Sequence, residues 1–249
     1  MEVAIRTSEE IGYIREAGRI VAACHEQIAQ WITPGISTME INERVEGFIL
    51  GEQAVPEQKG FKGYPYATCA SVNEIVCHGF PSDYRLREGD VVTIDLVVNK
   101  DGWMADRGWT YPVGKINRQA AHLLKWSLKS LMAGIEAAWP GSTLGDIGCA
   151  VERTVRRGKI GVVRPLVGHG IGREMHEPPD VVHYGVRGEG MRLQKGMVIT
   201  IEPVCTLGST GAVFWGEDGW TITSADGSWG AQYEHTLAIT AEGPRILTG

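Results

Sequence analysis

The chain has 249 residues, of which 43% are hydrophobic and 22% are charged, and its formal net charge is −6. This composition is ordinary for a soluble globular protein, and the acidic balance argues against nucleic acid or an anionic membrane as the main partner. No signal peptide, no bilayer-length apolar run and no Cys-x-x-Cys pair among the five cysteines is present, so we predict a reduced, cytoplasmic protein without a zinc finger.

Two helices are predicted at the start of the chain. Thr7 to Glu10 has the sequence of a capping box, and the helical pattern that follows should end before Pro34-Gly35. A second helix should begin at Ser37 or Thr38. Residues 53–66 are rich in glycine, proline and aromatic side chains and indicate a loop, which short strands follow at about 68–72 and 74–78.

A carboxylate interrupts the most apolar strand of the sequence. Gly89 to Val98 is an unbroken run of β-branched and aliphatic residues, with Asp95 at its middle. Burying an unpaired carboxylate there would cost several kcal/mol or more. Asp95 must therefore be protonated, paired with a cation or bound to a metal.

A second carboxylate follows after a turn. The chain reverses at residues 99–102 and returns through Trp103 to Asp106. A four-residue loop would place Asp106 directly opposite Asp95, and a two-residue loop at Asp101-Gly102 would place it diagonally. In both cases the two side chains share a face at about 5–8 Å, which is repulsive unless a cation lies between them.

The second part of the chain repeats this pattern. Asn117 should cap a helix that ends at Pro140-Gly141, and a further helix begins at about Ser142. The buried stripe of the first of these helices is expected to be Ala121, Leu124, Leu128, Leu131 and Ile135. Residues 196–202 match residues 89–95 position by position, and residues 140–147 align with 34–41 at nearly the same offset. We therefore predict one domain, residues 1–249, made of two similar halves at about 1–113 and 114–249.

Four carboxylates lie on apolar strands in these halves, together with one histidine flanked by glycines. They are Asp95, Asp106, Glu202, Glu234 and His169. A single buried acid is about as often paired with an arginine or capped by backbone N–H groups as it is a metal ligand. These four acids, however, have too few basic neighbours in the sequence for such pairing. Oxygen ligands with one imidazole suit Mn, Fe, Co or Zn, and two ions sharing bridging carboxylates would use about this number of acids. The continuous strands predicted at 196–205 and 231–240 would carry Glu202 and Glu234, whereas His25, His122 and His183 are interpreted as structural.

Five segments of the chain carry specific motifs: Ser71–Gly79, the Asp95/Asp106 pair, Gly168–Gly172, Ile201–Pro203 and Gln232–Thr236. Together they closely resemble the type I methionine aminopeptidases of the M24 family, and the resemblance covers essentially the whole chain. The resemblance implies an α+β pita-bread (creatinase/aminopeptidase) fold, with two pseudo-symmetric αβ halves and antiparallel sheets around a central metal site. It also implies a cytoplasmic hydrolase that removes the initiator methionine from nascent proteins or peptides whose second residue is small.

The resemblance also implies roles for individual residues. Asp95 would bind one of two divalent ions (Co, Mn, Fe or Zn), His169 and Glu202 would bind the other, and Asp106 and Glu234 would bridge them. A metal-bridging hydroxide would attack the peptide carbonyl while Glu202 acts as general base. His78 would donate to the scissile amide and His176 would stabilise the oxyanion. Residues matching the methionine pocket, which could also be ordinary core, are Phe61, Tyr64, Cys69, Met175 and Trp220.

The chain departs from the family beside the second carboxylate. Arg107-Gly108-Trp109 replaces the usual polar run after Asp106, so we expect a cation and an indole beside the metal-binding hairpin. The implied partners are nascent N-termini, with transient ribosome contact, in a monomer without nucleic-acid or membrane binding. Alternatives are a relative that cleaves Xaa-Pro peptides and a non-catalytic peptide-binding protein. The second of these would be marked by lost ligands, and none is lost here.

Overall fold

The computed structural model describes residues 2–208 and 210–249, and its helices begin where the polar caps predict. These residues form four α-helices: α1 (Ser8–Trp31), α2 (Thr38–Gly51), α3 (Arg118–Ala137) and α4 (Leu144–Gly158). Thr7, Ser37 and Thr143 each close a capping box, and Asn117 accepts a hydrogen bond from the backbone of Ala120. Each cap satisfies amide groups that the first helical turn cannot pair internally, so the starting residues are defined locally.

The buried face of α3 differs from the predicted stripe. Leu124, Leu131 and Ile135 are buried as expected, but Ala121 is exposed and Leu128 is only half-buried. The face that packs inward also contains Leu123 and four small residues, namely Ala120, Ser127, Ser130 and Gly134. Small side chains at Ser127, Ser130 and Gly134 let neighbouring elements approach closely, and hydrophobicity alone does not reveal them.

The described residues also form short and long strands in four antiparallel sheets. The strands are β1 (Val55–Pro56), β2 (Cys69–Val72), β3 (Ile75–Cys77), β4 (Val91–Lys100), β5 (Trp103–Pro112), β6 (Gly161–Val162), β7 (Gly168–Gly170), β8 (Glu177–Val181), β9 (Val198–Ile201), β10 (Val204–Thr206), β11 (Val213–Trp215), β12 (Ile222–Ser224), β13 (Gly230–Gln232), β14 (His235–Thr240) and β15 (Gly243–Ile246). In one sheet β4 pairs with β1, β2 and β5. The others have the orders β13-β10-β6, β11-β12-β3 and β15-β14-β9-β7-β8.

The β4–β5 hairpin has the shorter of the two predicted turns. Lys100 pairs with Trp103 across a two-residue turn at Asp101-Gly102, and both turn residues have positive φ. Asp106 is therefore opposite Val97, and Asp95 is opposite Gly108. The two carboxylates occupy diagonal positions on one face of the ladder.

Two strands that the sequence predicts as continuous are broken at their acidic residues. Glu202-Pro203 separates β9 from β10, and Tyr233-Glu234 separates β13 from β14. At each break the chain leaves one sheet and enters another, because β9 pairs with β14 while β10 pairs with β13. Proline cannot donate to a ladder, so Pro203 is compatible with this exit. Both acids thus project from the junction between sheets.

Strand β5 is joined to the same junction from the other half. The backbone N–H of Glu234 donates to the carbonyl of Gly108 at 2.8 Å. The hydroxyl of Thr236 donates to the carbonyl of Asp106 at 2.9 Å and accepts from its N–H at 3.0 Å. Trp109 packs against both large hydrophobic clusters, one built on α1, α2 and β4 and the other on α3, α4 and β9. These contacts connect the two predicted halves; their boundary near residue 113 stays a prediction.

In the part of the chain that the structure describes, no helix has both the length and the apolarity needed to cross a bilayer. All five cysteines lie within that part and are free thiols.

Candidate active site

A cavity of about 690 Å³ collects the predicted site residues from both halves. Its lining includes Phe61, Tyr64, Cys69, His78, Asp95, Asp106, His169, Met175, His176, Glu202 and Trp220. Glu234 completes the group from the side of β5, because ligand atoms of Asp106, His169 and Glu234 lie within 4.8 Å of one another. The structure thus brings together every residue predicted for the site, although the outermost two, Phe61 and Glu234, are 173 residues apart in sequence.

The carboxylates are buried without enough hydrogen-bond donors. Asp95, Asp106 and Glu234 are 8%, 6% and 1% exposed. One oxygen of each has no hydrogen-bond partner among the described residues. Nor does any described lysine or arginine form an ion pair with them or with Glu202. Buried polar atoms are normally paired, so these oxygens indicate ligands for a cation.

His169 points the lone pair of its Nε2 at the carboxylates of Asp106 and Glu202. Its Nδ1 is 2.9 Å from the carbonyl oxygen of Gly170, which can only accept, so Nδ1 carries the proton. Burial lowers the pKa of His169 to about 3, so the ring is neutral at physiological pH. Its unprotonated Nε2 then faces Glu202 Oε1 at 3.4 Å and Asp106 Oδ2 at 3.8 Å. Three acceptors that face one another in this way suit a shared metal ion.

The electrostatics of the acids support the same assignment. Burial raises the pKa of Asp95 to about 6 and that of Glu202 to about 8. Burial and the neighbouring carboxylates raise the pKa of Asp106 and that of Glu234 well above their usual range. In a buried site, neighbouring carboxyl groups repel one another when they ionise together, which raises their pKa values. Bound divalent cations would instead favour the ionised carboxylates. The donor set therefore fits the divalent metals that the sequence predicts.

The other side of the cavity is aromatic. The ring of Tyr64 makes edge contacts with Trp220 at 5.0 Å and with Phe80 at 5.2 Å between centroids. His78 lies 6.0 Å from Trp220 and has a left-handed backbone, with φ of +52°. Such backbone strain in a non-glycine residue persists where the surrounding structure requires it and often occurs at functional sites.

His176 lies at the mouth of the cavity between these two regions. Its ring centroid is 4.3 Å from that of His169 and 5.3 Å from that of Phe61. The side chain is exposed, and Met175 beside it is buried against the pocket. A substrate carbonyl near the carboxylates could therefore meet an imidazole N–H from the open side.

Three supporting residues were not predicted from the sequence. Gln232 donates through Nε2 to Asp95 Oδ2 at 3.3 Å and to Glu234 Oε2 at 3.2 Å. Thr200 donates to Glu202 Oε1 at 2.8 Å, and His183 Nε2 accepts from the backbone N–H of Glu202 at 3.1 Å. For Gln232 a signal existed, because it shares a strand face with Glu234; for His183 there was none.

Comparison with known proteins agrees with this geometry. The model of metallopeptidase family M24 matches residues 12–241. The chain is 42% identical to methionine aminopeptidase 1 of Bacillus subtilis (strain 168), over 99% of both chains. The chain belongs to the methionine aminopeptidases of metallopeptidase family M24.

Solved structures of relatives confirm the predicted fold. A crystal structure of methionine aminopeptidase from Rickettsia prowazekii superposes with a TM-score of 0.98 at 36% identity, over 100% of both chains. A prolidase from Pyrococcus horikoshii OT3 gives a TM-score of 0.78 at 25% identity, and the match covers 98% of this chain but 63% of the prolidase. The α+β pita-bread fold expected from the sequence is therefore correct.

The cation and the indole expected beside the candidate metal-binding hairpin lie on the hairpin itself, but they do not face the candidate ligands. Side chains alternate along β5, so Arg107 and Trp109 lie on the face opposite Asp106. Arg107 stacks on Trp109 with its Cζ 4.6 Å from the ring centroid, and its Nη1 donates to the carbonyl of Thr248 at 2.9 Å. Trp109 also makes an edge contact with Tyr233 at 4.7 Å. Arg107 and Trp109 therefore pack behind the site, on the face away from Asp106.

Proposed function

We propose that this protein removes the N-terminal methionine from nascent proteins and peptides whose second residue is small. The observation that carries the proposal is the junction of a buried carboxylate–histidine cluster with an aromatic pocket in one cavity. The cluster suits hydrolysis of a peptide bond, and the pocket suits one apolar side chain.

The predicted ligands would hold two divalent ions. Asp95, Asp106, His169, Glu202 and Glu234 supply enough donors for both, and Co, Mn, Fe and Zn all accept such donors. When bound, such ions lower the pKa of water and polarise a carbonyl group.

The pocket binds the methionine side chain by shape and polarisability. Tyr64, Cys69 and Trp220 line it together with Phe61 and Met175. Tyr64 and Trp220 meet edge to face, which presents ring surface to the cavity. Thioether sulfur makes favourable contacts with aromatic rings at about 0.3–1.5 kcal/mol each, so an unbranched sulfur-containing side chain fits well.

Three side chains handle protons and the developing negative charge. Glu202 lies among the candidate ligands, with its Oε1 3.4 Å from His169 Nε2, where its carboxylate can take a proton from the attacking water as general base. Partial burial lowers the pKa of His78 to about 4, so the neutral ring can donate one N–H to the substrate amide. His176, at the open side, donates to the oxyanion formed when the carbonyl is attacked.

This activity implies where the protein works. Its substrates are N-termini of newly made chains, so we place it in the cytoplasm, acting as a monomer in transient contact with the ribosome.

The test is release of methionine from the peptide Met-Ala-Ser. Activity should disappear on chelation and return with Mn or Co, and Glu202→Gln should lower kcat by about 10²-fold or more because the general base is lost. Glu136→Gln, an exposed position on α3, is the matched control and should behave as wild type. An Xaa-Pro peptide tests the alternative specificity. Preferential cleavage of that peptide, or no turnover with any of the four metals, would overturn the proposal.

A further inference from the structure

His176 is positioned by its backbone segment and not by its own hydrogen bonds. It lies in the loop 171–176, which joins β7 to β8, and β7 carries His169. Among the described residues, no side-chain hydrogen bond to the His176 ring is present; its ring contacts are with His169 and Phe61. The place of this imidazole therefore depends on what holds the loop.

The carboxylate of Glu177 closes the loop. Its Oε1 accepts hydrogen bonds from the backbone N–H of Arg173 at 2.8 Å and from that of Glu174 at 3.1 Å. Successive amides that converge on one anion form a compact turn. His176 lies inside this turn, immediately before Glu177.

Arg6, from the other end of the chain, neutralises this carboxylate. Its Nη2 donates to Glu177 Oε1 at 2.6 Å and also to Oε2. The two side chains are each only 12% exposed. The guanidinium lies directly on Gly172, where a Cβ atom would come within 2.6 Å of Nη2. The backbone N–H of Arg6 donates to the carbonyl of Gly196 at 2.7 Å, which fixes its approach.

The β4–β5 hairpin holds the loop from the opposite side. The carbonyl of Gly172 accepts from the N–H of Met104 at 2.8 Å. Arg173 donates to the carbonyl of Gly102 at 3.1 Å, and its Cζ lies 3.9 Å from the ring centroid of Trp103. The same hairpin carries two of the predicted carboxylate ligands. The β4–β5 hairpin thus fixes the position of the loop relative to these candidate metal ligands.

We propose that Arg6 and Glu177 are positioning residues that hold His176 at the active site. The inference rests on the proposed function, because it assigns His176 a part in peptide hydrolysis. Without Arg6 the buried charge of Glu177 has no counter-ion, so its carboxylate turns toward water and releases both amides. A displacement of a catalytic group by 1 Å can lower turnover by about 10²-fold, so even partial release of the loop should be measurable.

The first experiment compares Arg6→Met with Arg6→Lys. With Met-Ala-Ser at saturating metal, Arg6→Met should lower kcat by about tenfold and change KM by less than about threefold, because the aromatic pocket is retained. Arg6→Lys keeps the positive charge and should recover most of kcat. The control Arg19→Met breaks the pair with Glu16, whose side chains are 63% and 51% exposed, and should leave both constants unchanged.

A double-mutant cycle with His176→Ala identifies the route of the effect. If Arg6 acts through His176, Arg6→Met should lower kcat by less than about twofold in the His176→Ala background. Calorimetric titration with Mn should give wild-type affinity for Arg6→Met. Multiplicative effects, an unchanged kcat for Arg6→Met or weakened Mn binding would each overturn the inference.

Two further results keep the interpretation unambiguous. Absence of turnover in the wild type would refute the proposed function itself, whereas turnover with no dependence on Arg6 would refute only the positioning role. If Arg6→Met does not fold, Glu177→Gln replaces it in the cycle. Its amide oxygen still accepts from the two N–H groups but carries no charge, so a smaller loss of kcat is expected, and again no loss in the His176→Ala background.

Discussion

Gln232 provides a test of how the candidate ligand carboxylates are oriented. Its side-chain amide is 1% exposed and donates through Nε2 to both Asp95 and Glu234, which belong to different halves of the chain. Among the described residues, its Oε1 receives only a long contact, at 3.8 Å, from the thiol of Cys77. Gln232→Met removes both donors and keeps the length of the side chain.

The magnitude follows from the two hydrogen bonds. At 3.3 and 3.2 Å they are at the long end of the normal range, so each contributes near the lower end of about 1.5–3 kcal/mol. Bound ions would recover part of this loss, because they would themselves orient the carboxylates. Loss of such an outer partner typically weakens metal binding or activity by about 10–100-fold, which corresponds to about 1.4–2.7 kcal/mol. We expect this range for Gln232→Met.

The assay is calorimetric titration of the metal-free variant with Mn, followed by kcat for Met-Ala-Ser at saturating metal. Gln119→Met, an exposed position in the first turn of α3, is the matched control. Thermal unfolding of the metal-free proteins separates misfolding from altered affinity. Mn affinity and kcat within twofold of wild type would refute the view that Gln232 orients the ligands.

Three other predictions test the packing, the protonation and the pocket. Trp109→Ala should lower the free energy of unfolding by about 2–3 kcal/mol and leave Mn affinity unchanged. The loss of stability is below the range for a fully buried tryptophan because Trp109 is only half-buried. Weakened Mn binding at unchanged stability would contradict the place of Trp109 behind the site. Burial lowers the pKa of His25 to about 3, so below its unfolded value of 6.5 the unfolded chain binds one more proton than the folded protein and stability falls by about 1.4 kcal/mol per pH unit down to pH 3. The free energy of unfolding, measured with urea between pH 6 and 4, should therefore fall less steeply with pH in His25→Gln than in the wild type, by about 1.4 kcal/mol per pH unit. An equal pH dependence in the two proteins would refute this role of His25. Trp220→Ala removes the ring that packs against Tyr64. It should raise KM for Met-Ala-Ser about tenfold with a smaller change in kcat, because a lost apolar pocket contact is worth about 1–3 kcal/mol. An unchanged KM would exclude Trp220 from the pocket.

Much of the site was accessible from the sequence because its signals are local. Capping residues such as Thr7 and Asn117 define helix starts through hydrogen bonds within one turn. The alternation of side chains along a strand is equally local. It placed Asp95 and Asp106 on one face, and it also placed Arg107 on the other face, a consequence that the prediction did not use.

Only the tertiary structure decided which surfaces meet. The strand pattern continues past Glu202 and past Glu234 in the sequence, so the change of sheet at each acid depends on strands far away in the chain. The choice between the four-residue loop at 99–102 and the two-residue turn at Asp101-Gly102 likewise came from the paired register.

The contacts that join distant parts of the chain had no sequence signal at all. Arg6 and Glu177 are separated by 171 residues, and no periodicity links them. Periodic patterns report how one element divides its faces between core and solvent. Which partner each face acquires is determined by burial and hydrogen bonding summed over the whole fold. The sequence by itself therefore indicated the candidate ligands and their local faces, and the packed structure determined how they converge around one cavity.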